Sequence, residues 1–340
     1  KLKFEGEYLN GKKWNGKGYN EEGIIDFEIK EGNGQVKEYD PYGKLQYESV
    51  YLNGERNGKR KEYNNNSILT FEGEYLNGKR NGKGKEYYYD GKLKCEGEYL
   101  NGKKNGKWIE YDSNEKLEFE GEYLNGERNG SGKEYYDDGK LKFEGDYLSG
   151  KRNGKGKEYY NNNILGFDGE YLNGKKNGKC KDYHYNGKLK FDGEYLNGKI
   201  NGKGKEYYYS GELKFEGEYL DGKRWNGKGY DKDGKIDFEI KEGTGKGKEY
   251  YDKDILAFEG EYLNGERNGK GKDYNYSGVL EFEGEYLNGK RWKGKANIFV
   301  HDGLEIYGEY LNGKFIKKPI NGEFEGENLN ENKNTKCQIF

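Results

Sequence analysis

The sequence predicts an all-β protein, an elongated solenoid of stacked antiparallel β-hairpins with about 15 repeats of 24 residues and two shortened double units. Three observations predict this fold. The text Phe-Glu-Gly-Glu-Tyr-Leu-Asn-Gly recurs along the chain, apolar and polar residues alternate within it, and Asn-Gly pairs suited to tight turns follow each alternating segment. Helix is disfavoured, because glycine accounts for 58 of the 340 residues and destabilises helix interiors.

The spacing of one tyrosine defines the repeats. From Tyr51 to Tyr219 it recurs every 24 residues, whereas the gaps from Tyr8 to Tyr51 and from Tyr219 to Tyr262 are of 43 residues. Both long gaps contain Trp-Asn-Gly-Lys-Gly-Tyr followed by Phe-Glu-Ile-Lys-Glu-Gly. Each gap therefore holds one shortened copy, and the recurrence of this deviation indicates the duplication of a block of about nine repeats.

Each repeat is predicted to form one hairpin. In a typical copy, Phe71, Gly73 and Tyr75 fall on one face of a strand and the intervening glutamates fall on the other. A second strand is expected at residues 83–89, after a connection over residues 77–82. The glycines leave room for neighbouring rings against the backbone, and the glutamates are expected to pair with lysines across the strands.

The composition bounds the possible partners. The 61 Lys and Arg residues and 63 Asp and Glu residues are mixed within every repeat, so we expect no nucleic-acid binding. The 36 tyrosines supply the apolar area that a disordered chain would lack. Cys95, Cys180 and Cys337 have no paired spacing, which argues against disulfides and for a reducing cytosol.

The pattern Gly-Glu-Tyr-x-Asn-Gly-Lys-x-Asn-Gly-Lys-Gly-x-x-Tyr, closed by Tyr-x-Asp-Gly, resembles the MORN (membrane occupation and recognition nexus) repeat over about residues 4 to 328. It departs from that family in having Tyr where Trp is common, Asn-Gly where His-Gly is common, and a period of 24. The resemblance implies a non-catalytic hairpin solenoid with a groove lined by aromatic and charged side chains. Such arrays serve scaffolding, protein binding or contact with acidic phospholipids.

The chain end carries a candidate lipidation site. The repeat array is expected over residues 1–329, and a polar tail over residues 330–340 ends in Cys337-Gln-Ile-Phe340. This ending matches the Cys-a-a-X prenylation motif, and a terminal Phe favours geranylgeranylation. The alternative is a cysteine placed there by chance, since Gln338 is not aliphatic. One prenyl chain binds membranes only marginally, so a second membrane signal is expected.

Basic pairs at one repeat position are candidates for that second signal. Stacked hairpins would align them along one edge, facing anionic headgroups. Solvated loop charges are the alternative, because Glu55, Glu127 and Glu266 interrupt the series. The candidate anionic-lipid contacts are Lys79, Arg80, Lys103, Lys104, Lys151, Arg152, Lys175, Lys176, Lys223, Arg224, Lys290 and Arg291.

Enzymatic and metal chemistry are not expected. His184 and His301 lack partners at metal-ligand spacing. The paired carboxylates recur in nearly every copy, unlike a catalytic pair, and the Gly-Lys-rich turns lack the ending of a phosphate-binding loop. The sequence therefore predicts no cofactor, no metal site and no catalytic residue.

These observations predict a MORN-type scaffold or adaptor on the cytosolic face of a membrane, tethered through Cys337 and binding an unidentified protein partner. The alternative is an interaction module of a larger enzyme of the lipid kinase or methyltransferase type. The chain starts at Lys1 inside a repeat and lacks Met, so an N-terminal part is expected to be missing. Exposed strand edges also allow a homo-oligomer.

Overall fold

The computed structural model describes residues 3–231, 233–252, 255–299 and 305–318 of the chain. These residues form 28 β-strands and, within the described ranges, no helix. The predicted all-β fold of stacked antiparallel hairpins is confirmed. The chain divides into two compact units, residues 1–211 with 219–222 and residues 212–218 with 223–340. The predicted end of the array at residue 329 lies outside the described residues.

Unit 1 contains nine pairs of consecutive strands. They are β1 (Phe4–Leu9), β2 (Lys12–Tyr19), β3 (Ile25–Ile29), β4 (Gly34–Tyr39), β5 (Leu45–Leu52), β6 (Glu55–Tyr63), β7 (Leu69–Leu76), β8 (Lys79–Tyr87), β9 (Leu93–Leu100), β10 (Lys103–Tyr111), β11 (Leu117–Leu124), β12 (Glu127–Tyr135), β13 (Leu141–Leu148), β14 (Lys151–Tyr159), β15 (Leu165–Leu172), β16 (Lys175–Tyr183), β17 (Leu189–Leu196) and β18 (Lys199–Tyr207).

The boundary between the units falls within β19 (Leu213–Leu220). Unit 2 continues with β20 (Lys223–Tyr230), β21 (Ile236–Lys241), β22 (Thr244–Asp252), β23 (Ile255–Leu263), β24 (Glu266–Tyr274), β25 (Leu280–Leu287), β26 (Lys290–Phe299), β27 (Glu305–Leu311) and β28 (Lys314–Lys317). Consecutive strands pair antiparallel within each unit, except that β3 and β4 are joined only by the isolated bridge between Lys30 and Asn33, so that β1 to β3 form a separate three-stranded sheet.

The second strand of a repeat begins four residues earlier than predicted. A two-residue tight turn, Asn77-Gly78, joins β7 directly to β8, and its φ angles of 50° and 77° are those of a type I′ turn. The second Asn-Gly pair lies inside β8. It falls opposite the segment of β7 between Gly73 and Tyr75, where the register of the two strands shifts. The prediction of a six-residue connection was therefore wrong, because one Asn-Gly pair forms a bulge rather than a turn.

Each hairpin has two different faces. The ring face carries Phe71, Gly73 and Tyr75 of β7, and the charged face carries Glu72 and Glu74 of the same strand. Residues of β8 alternate in the same way, so that Glu72 lies opposite a lysine and Phe71 lies opposite a glutamate. Lys85 on the charged face forms the expected cross-strand ion pair, 2.9 Å from Glu96 of the next repeat.

The core is a series of aromatic rings along the ring face. Phe71 is 1% exposed and meets the rings of Tyr75 and Tyr99 edge to face, with centroids 6.0 and 5.9 Å away. Phe143 repeats this arrangement with Tyr147 and Tyr171. Each phenylalanine thus contacts a tyrosine of its own repeat and one of the next, and such ring pairs contribute about 0.5–1.5 kcal/mol beyond their buried area.

Both kinds of turn also join neighbouring repeats. The backbone N–H of Gly102 in one tight turn donates to the carbonyl of Arg80 in the preceding repeat, over 2.8 Å. At the other end of the hairpins, five-residue wide turns such as residues 88–92 lead into the next repeat. The hydroxyl of Tyr88, the first residue of that wide turn, donates to the carbonyl of Tyr111 in the following repeat over 2.7 Å.

One repeat replaces two core residues together. Cys95 stands where other repeats have phenylalanine, and Trp108 stands where they have glycine. The Trp108 ring lies 4.9 Å from the Tyr99 ring and is 1% exposed. A Cβ added to Gly97 would lie 2.4 Å from it. The indole therefore fills the space that the missing phenylalanine leaves, and the two deviations form one packing unit.

The shortened copies are covered by the tryptophans that precede them. The β3–β4 hairpin ends early at Gly32, whose N–H donates to the carbonyl of Trp14 over 2.7 Å. A Cβ on Gly32 would lie 2.8 Å from the Trp14 ring. Lys12 then reaches across the short hairpin to Glu55, 43 residues away. The tryptophan of the recurring Trp-Asn-Gly segment thus packs against the shortened hairpin that follows it.

Restoring the usual residues one at a time should reveal the compensation between Cys95 and Trp108. Cys95→Phe would overpack the space, a cost of about 1–3 kcal/mol, and Trp108→Gly would empty it, a cost of about 3–5 kcal/mol. The double variant recreates the usual pair and should melt close to the parent. Thermal unfolding of the four proteins completes the cycle. Additive losses would show that the two residues do not share one space.

Candidate functional site

A half-buried cation lies over most phenylalanines of the ring face. Arg152 donates to Glu134 over 2.8 Å and to Glu158 over 2.7 Å. Its guanidinium carbon lies 3.9 Å from the centroid of the Phe143 ring, a cation–π contact. The hydroxyl of Tyr147 donates to Glu134 over 2.5 Å. One arginine therefore joins the carboxylates of two consecutive repeats above a buried ring.

We call this series of alternating cations and carboxylates the ion ladder. It is interrupted in unit 1 at Ile200, which stands opposite Tyr195 where other repeats place a cation. In the double unit of unit 2, Arg224 lies 4.6 Å from the Phe215 ring centroid. The other cations with the Arg152 arrangement are Arg80, Arg128 and Lys176 in unit 1 and Arg267 and Arg291 in unit 2. Lys104 pairs with Glu110 and lies over the Trp108 ring, because its repeat lacks the phenylalanine.

The ladder holds its groups in fixed charge states. Burial opposes the ionisation of Glu134, but the hydrogen bonds from Arg152 and Tyr147 outweigh it and lower the pKa of the carboxyl below its ordinary 4.5. Burial and the hydrogen bond to Glu134 raise the pKa of Tyr147 well above its ordinary value. The carboxylate therefore stays ionised and the phenol stays neutral over the whole neutral range.

The two members of each predicted basic pair lie on opposite faces. Because side chains alternate along a strand, the first member is on the charged face beside the tight turn and the second joins the ring face. The first members are Lys79, Lys103, Lys151, Lys175, Lys223 and Lys290, and the second members are Arg80, Lys104, Arg152, Lys176, Arg224 and Arg291. Lipid contact by these residues stays a prediction.

A leucine accompanies each first member. Leu76 lies directly opposite Lys79 across the tight turn, and Leu100 lies opposite Lys103. These leucines are 39% to 52% exposed. We call the aligned pairs the leucine–lysine row; its leucines are Leu9, Leu52, Leu76, Leu100, Leu124, Leu148, Leu172, Leu196 and Leu220 in unit 1 and Leu263, Leu287 and Leu311 in unit 2.

Two of the three glutamates that interrupt the basic series have a local structural role. Glu55 pairs with Lys12, and Glu266 lies 2.8 Å from Lys223. Both ion pairs span a shortened hairpin, where the first members of two full-length repeats come within reach of each other. These glutamates therefore reflect the double units and not the general chemistry of the row. Glu127, in a full-length repeat, is exposed beside Leu124.

Each unit has a groove on its charged face. The groove of unit 1 has a volume of about 630 Å³ and a floor that includes Gly121 and Gly132. The groove of unit 2 has a volume of about 850 Å³ and a floor that includes Gly260 and Gly271, at equivalent repeat positions. Glutamates and lysines of both strands form the walls.

Most aromatic side chains lie outside these two grooves, to which Trp108 and Phe238 contribute one ring each. The phenylalanines of the ring face are buried beneath the ladder cations, as Phe143 shows with 0% exposure. Aromatic and charged side chains together line a smaller pocket of about 450 Å³ beside the wide turns, where Tyr88, Tyr135 and Tyr136 are present. Binding of a partner in an aromatic groove stays a prediction.

The remaining candidate residues have local contacts or cannot be placed. Cys337 and His301 lie outside the described residues. Burial raises the pKa of the Cys95 thiol to about 11, and a ring nitrogen of His184 lies 3.1 Å from the carbonyl of Tyr207. Among the described residues, no three His, Cys, Asp or Glu side chains are grouped to hold a metal. In the same ranges, no helix is long and apolar enough to span a membrane.

Family comparisons agree with this repeat geometry. A family model described as MORN repeat matches residues 71–92, 95–107, 119–140, 143–164, 167–181, 191–212 and 258–272. A model described as MORN repeat variant matches residues 33–53, 104–125 and 176–197. Together the matches cover about half of the chain. The chain belongs to the MORN-repeat family. The resemblance noted from its sequence is confirmed, and the protein is a repeat scaffold or binding module.

Comparisons with individual proteins add no argument for this MORN array. No curated protein matches it. The crystal structure of TcdB2-TccC3 is 10% identical, with a TM-score of 0.21 over 88% of this chain and 20% of that chain. Selenomethionine-substituted virginiamycin B lyase from Staphylococcus aureus is 13% identical, with a TM-score of 0.17 over 92% of this chain and 97% of that chain. The array thus spans about a fifth of the length of the first.

Removing one ladder cation should destabilise the MORN array more than removing an exposed one. Arg152→Gln leaves Glu134 and Glu158 half-buried without their shared partner, and breaking such a pair costs about 3–5 kcal/mol when fully buried. Lys133→Gln is the matched control, because its ion pair with Glu120 is exposed and contributes at most about 1 kcal/mol. Equal melting temperatures of the two variants would contradict the role of the ladder.

The pH dependence should change with the same substitution. The folded pKa of Glu134 is depressed, so this carboxylate contributes stability above its ordinary pKa of 4.5, and the contribution is lost as the pH falls through the lower folded value. Without Arg152 the folded pKa rises toward the unfolded value, so Glu134 contributes less stability at neutral pH and less is lost on acidification. Melting curves from pH 7 to pH 3 should therefore show the difference between the parent and Arg152→Gln narrowing as the pH falls.

Proposed function

We propose that this MORN array is a non-catalytic scaffold on the cytosolic face of a membrane, with the leucine–lysine row toward anionic headgroups and a protein partner on the charged face. The observation that carries the proposal is the row itself. It presents one half-exposed leucine and one basic residue beside most of the tight turns, as at Leu100 and Lys103. The same turns keep this spacing through many consecutive repeats.

The row combines two sources of membrane affinity. Each lysine near an anionic surface contributes about 1 kcal/mol. Each leucine adds apolar area that the headgroup boundary can cover, at about 25 cal/mol per Å². The separation of the faces supports this orientation, because the second members of the basic pairs are engaged in the ion ladder whereas Lys79, Lys103, Lys151 and Lys175 are exposed.

The second membrane signal in the proposal is a prenyl group on Cys337. One prenyl chain alone binds reversibly and weakly, and a second contact converts it into a stable anchor. The Cys-a-a-X ending would provide the chain, and the row would provide the additional contact. Neither element needs to be strong on its own, because the tether raises the local concentration of the row at the membrane.

The partner of this scaffold is proposed to be an extended polypeptide bound along a charged-face groove. The walls of both grooves present carboxylates and ammonium groups from several consecutive strands, as Glu122 and Lys155 do in unit 1. A segment with charges of both signs would pair with these walls. The glycine floor would allow its backbone to approach closely.

Neutralising the row should weaken binding to anionic vesicles. A quadruple variant of Lys79, Lys103, Lys151 and Lys175 to Gln removes about 1 kcal/mol per lysine near the surface. We expect at least a tenfold loss of affinity for phosphatidylserine–phosphatidylcholine vesicles, and little binding of either protein to phosphatidylcholine alone. Vesicle cosedimentation at physiological salt measures both.

The matched control changes four lysines in the middle of the charged face. Lys85, Lys133, Lys157 and Lys181 to Gln alters the net charge by the same amount, in the same number of repeats, away from the tight turns. This control should keep most of the vesicle affinity. Equal losses in the two variants would mean that general charge, and not the row, attracts the membrane.

The anchor is tested separately in cells. Cys337→Ser removes the thiol that would be prenylated, so the variant should move from the membrane fraction to the supernatant when expressed at the level of the parent. The intact mass of the parent should also show a prenyl group and the loss of the last three residues. Unchanged fractionation of the variant would exclude this anchor without affecting the vesicle result for the row.

A further inference from the structure

The first residue of the wide turn forms a regular series along unit 1. Tyr88, Tyr136 and Tyr160 each donate their hydroxyl to a backbone carbonyl 23 residues later, at 2.7 Å in every case. At the equivalent place His184 contacts the carbonyl of Tyr207 through its ring. From residue 88 to residue 184 this position therefore holds a polar ring in every repeat but one. Earlier in unit 1 it holds Asn20, Asp40 and Asn64, which cap their own turns.

Asp112 interrupts this series between Tyr88 and Tyr136. Its carboxylate accepts the backbone N–H groups of Asn114 and Lys116, over 2.8 and 2.9 Å, and so caps its own turn. A carboxylate has no proton to donate. The carbonyl of Tyr135, which is 23 residues further along, therefore receives no hydrogen bond of this kind from residue 112.

A pocket of about 450 Å³ lies at the interruption. Tyr88 and Tyr136 contribute to its walls, and Tyr135 belongs to its lining. Arg128 and Glu134 of the ion ladder lie at the same site and are held in place by their contacts to neighbouring repeats. The volume is within the range of about 300–1,000 Å³ usual for ligand sites. The site is thus preformed from rigid parts of the array.

The charge of the pocket differs from that of its neighbours. Next to Tyr88 and Tyr136, lysines lie near the ring faces, with Lys94 at 5.7 Å and Lys142 at 5.8 Å from the centroids. The residue equivalent to Lys94 in the interrupted repeat is Glu118, which lines the pocket. The pocket lining holds four carboxylates and three cations, the latter being Lys116, Arg128 and Lys142. Because these charges nearly balance, a neutral ring with a hydroxyl donor suits the site better than an anion does.

We propose that this pocket binds the tyrosine side chain of a protein partner. The guest ring takes the place that the neighbouring repeats fill with their own tyrosines, and its hydroxyl donates to the carbonyl of Tyr135. Tyrosine is a common anchor of protein interfaces, since it combines a large apolar ring with one polar atom. The site lies at the wide turns, away from the leucine–lysine row, and does not rest on the proposed membrane contact.

The test uses N-acetyl-L-tyrosinamide as the probe and the full chain as the receptor. Saturation-transfer NMR should detect binding with a dissociation constant on the order of 1 mM, as expected for a single small ring. N-acetyl-L-phenylalaninamide, which lacks the hydroxyl, should bind about two- to tenfold more weakly because one hydrogen bond is lost. N-acetyl-L-leucinamide should give no transfer.

Two variants locate the site. Asp112→Tyr supplies the missing ring within the chain. Asn114 can then cap the turn, as Asn162 does in the wide turn that starts with Tyr160. This variant should lose probe binding and melt at a higher temperature than the parent. Asp112→Asn keeps both the turn cap, as Asn64 does elsewhere, and the open pocket. It should bind the probe as the parent does.

The outcomes separate the possible explanations. Binding that is lost in Asp112→Tyr and kept in Asp112→Asn supports the proposal. Undiminished binding to Asp112→Tyr, no binding to the parent, or a lower melting temperature of Asp112→Tyr would overturn it. Light scattering gives one further outcome. A dimer of the parent that dissociates in Asp112→Tyr would make a tyrosine of a second copy the guest, and would overturn the assignment to a different protein.

Discussion

The array depends on a cation placed over an aromatic ring and between two carboxylates. Backbone hydrogen bonds join any two neighbouring strands, but they do not define how far the rings of one hairpin reach into the next. Arg152 does so, because Glu134 belongs to the preceding hairpin and Glu158 to its own. The ring beneath excludes water from these ion pairs, which makes them stronger than exposed ones. Because this unit repeats, contacts between neighbouring hairpins are the main source of stability in the array.

This arrangement leaves the charged face and both turns free of a role in the core. Cations of the ring face, such as Arg80, are committed to the ladder, whereas Lys79 one residue earlier is exposed at the tight turn. A binding surface can therefore vary along the tight turns without loss of packing. The exposed leucines beside those lysines are the clearest sign of such a surface, because no internal contact requires an apolar residue to be half-exposed at every repeat.

Much of the fold could be predicted from the sequence, because period-two alternation and Asn-Gly turns are local signals. The opposite faces of Phe71 and Glu72 followed directly from them. The ladder could not be predicted in this way. Alternation separates Lys79 from Arg80 only if both lie in a strand, and the predicted strand began at residue 83; the contact of Arg80 with Glu62, 18 residues away, follows from packing between repeats. Nor could the pairing of Cys95 with Trp108 be recognised without the packing that joins them.

Departures from the repeat pattern therefore differ in meaning according to whether a second residue compensates for them. Trp108 fills the space beside Cys95, and Trp14 covers the hairpin that ends at Gly32, so both departures preserve the core. Asp112 caps its own turn but does not replace the ring that its neighbours share between repeats. The array tolerates the gap at Asp112 because the ladder continues beneath it through Arg128. A gap above an intact ladder is a suitable place for a partner to supply the missing ring.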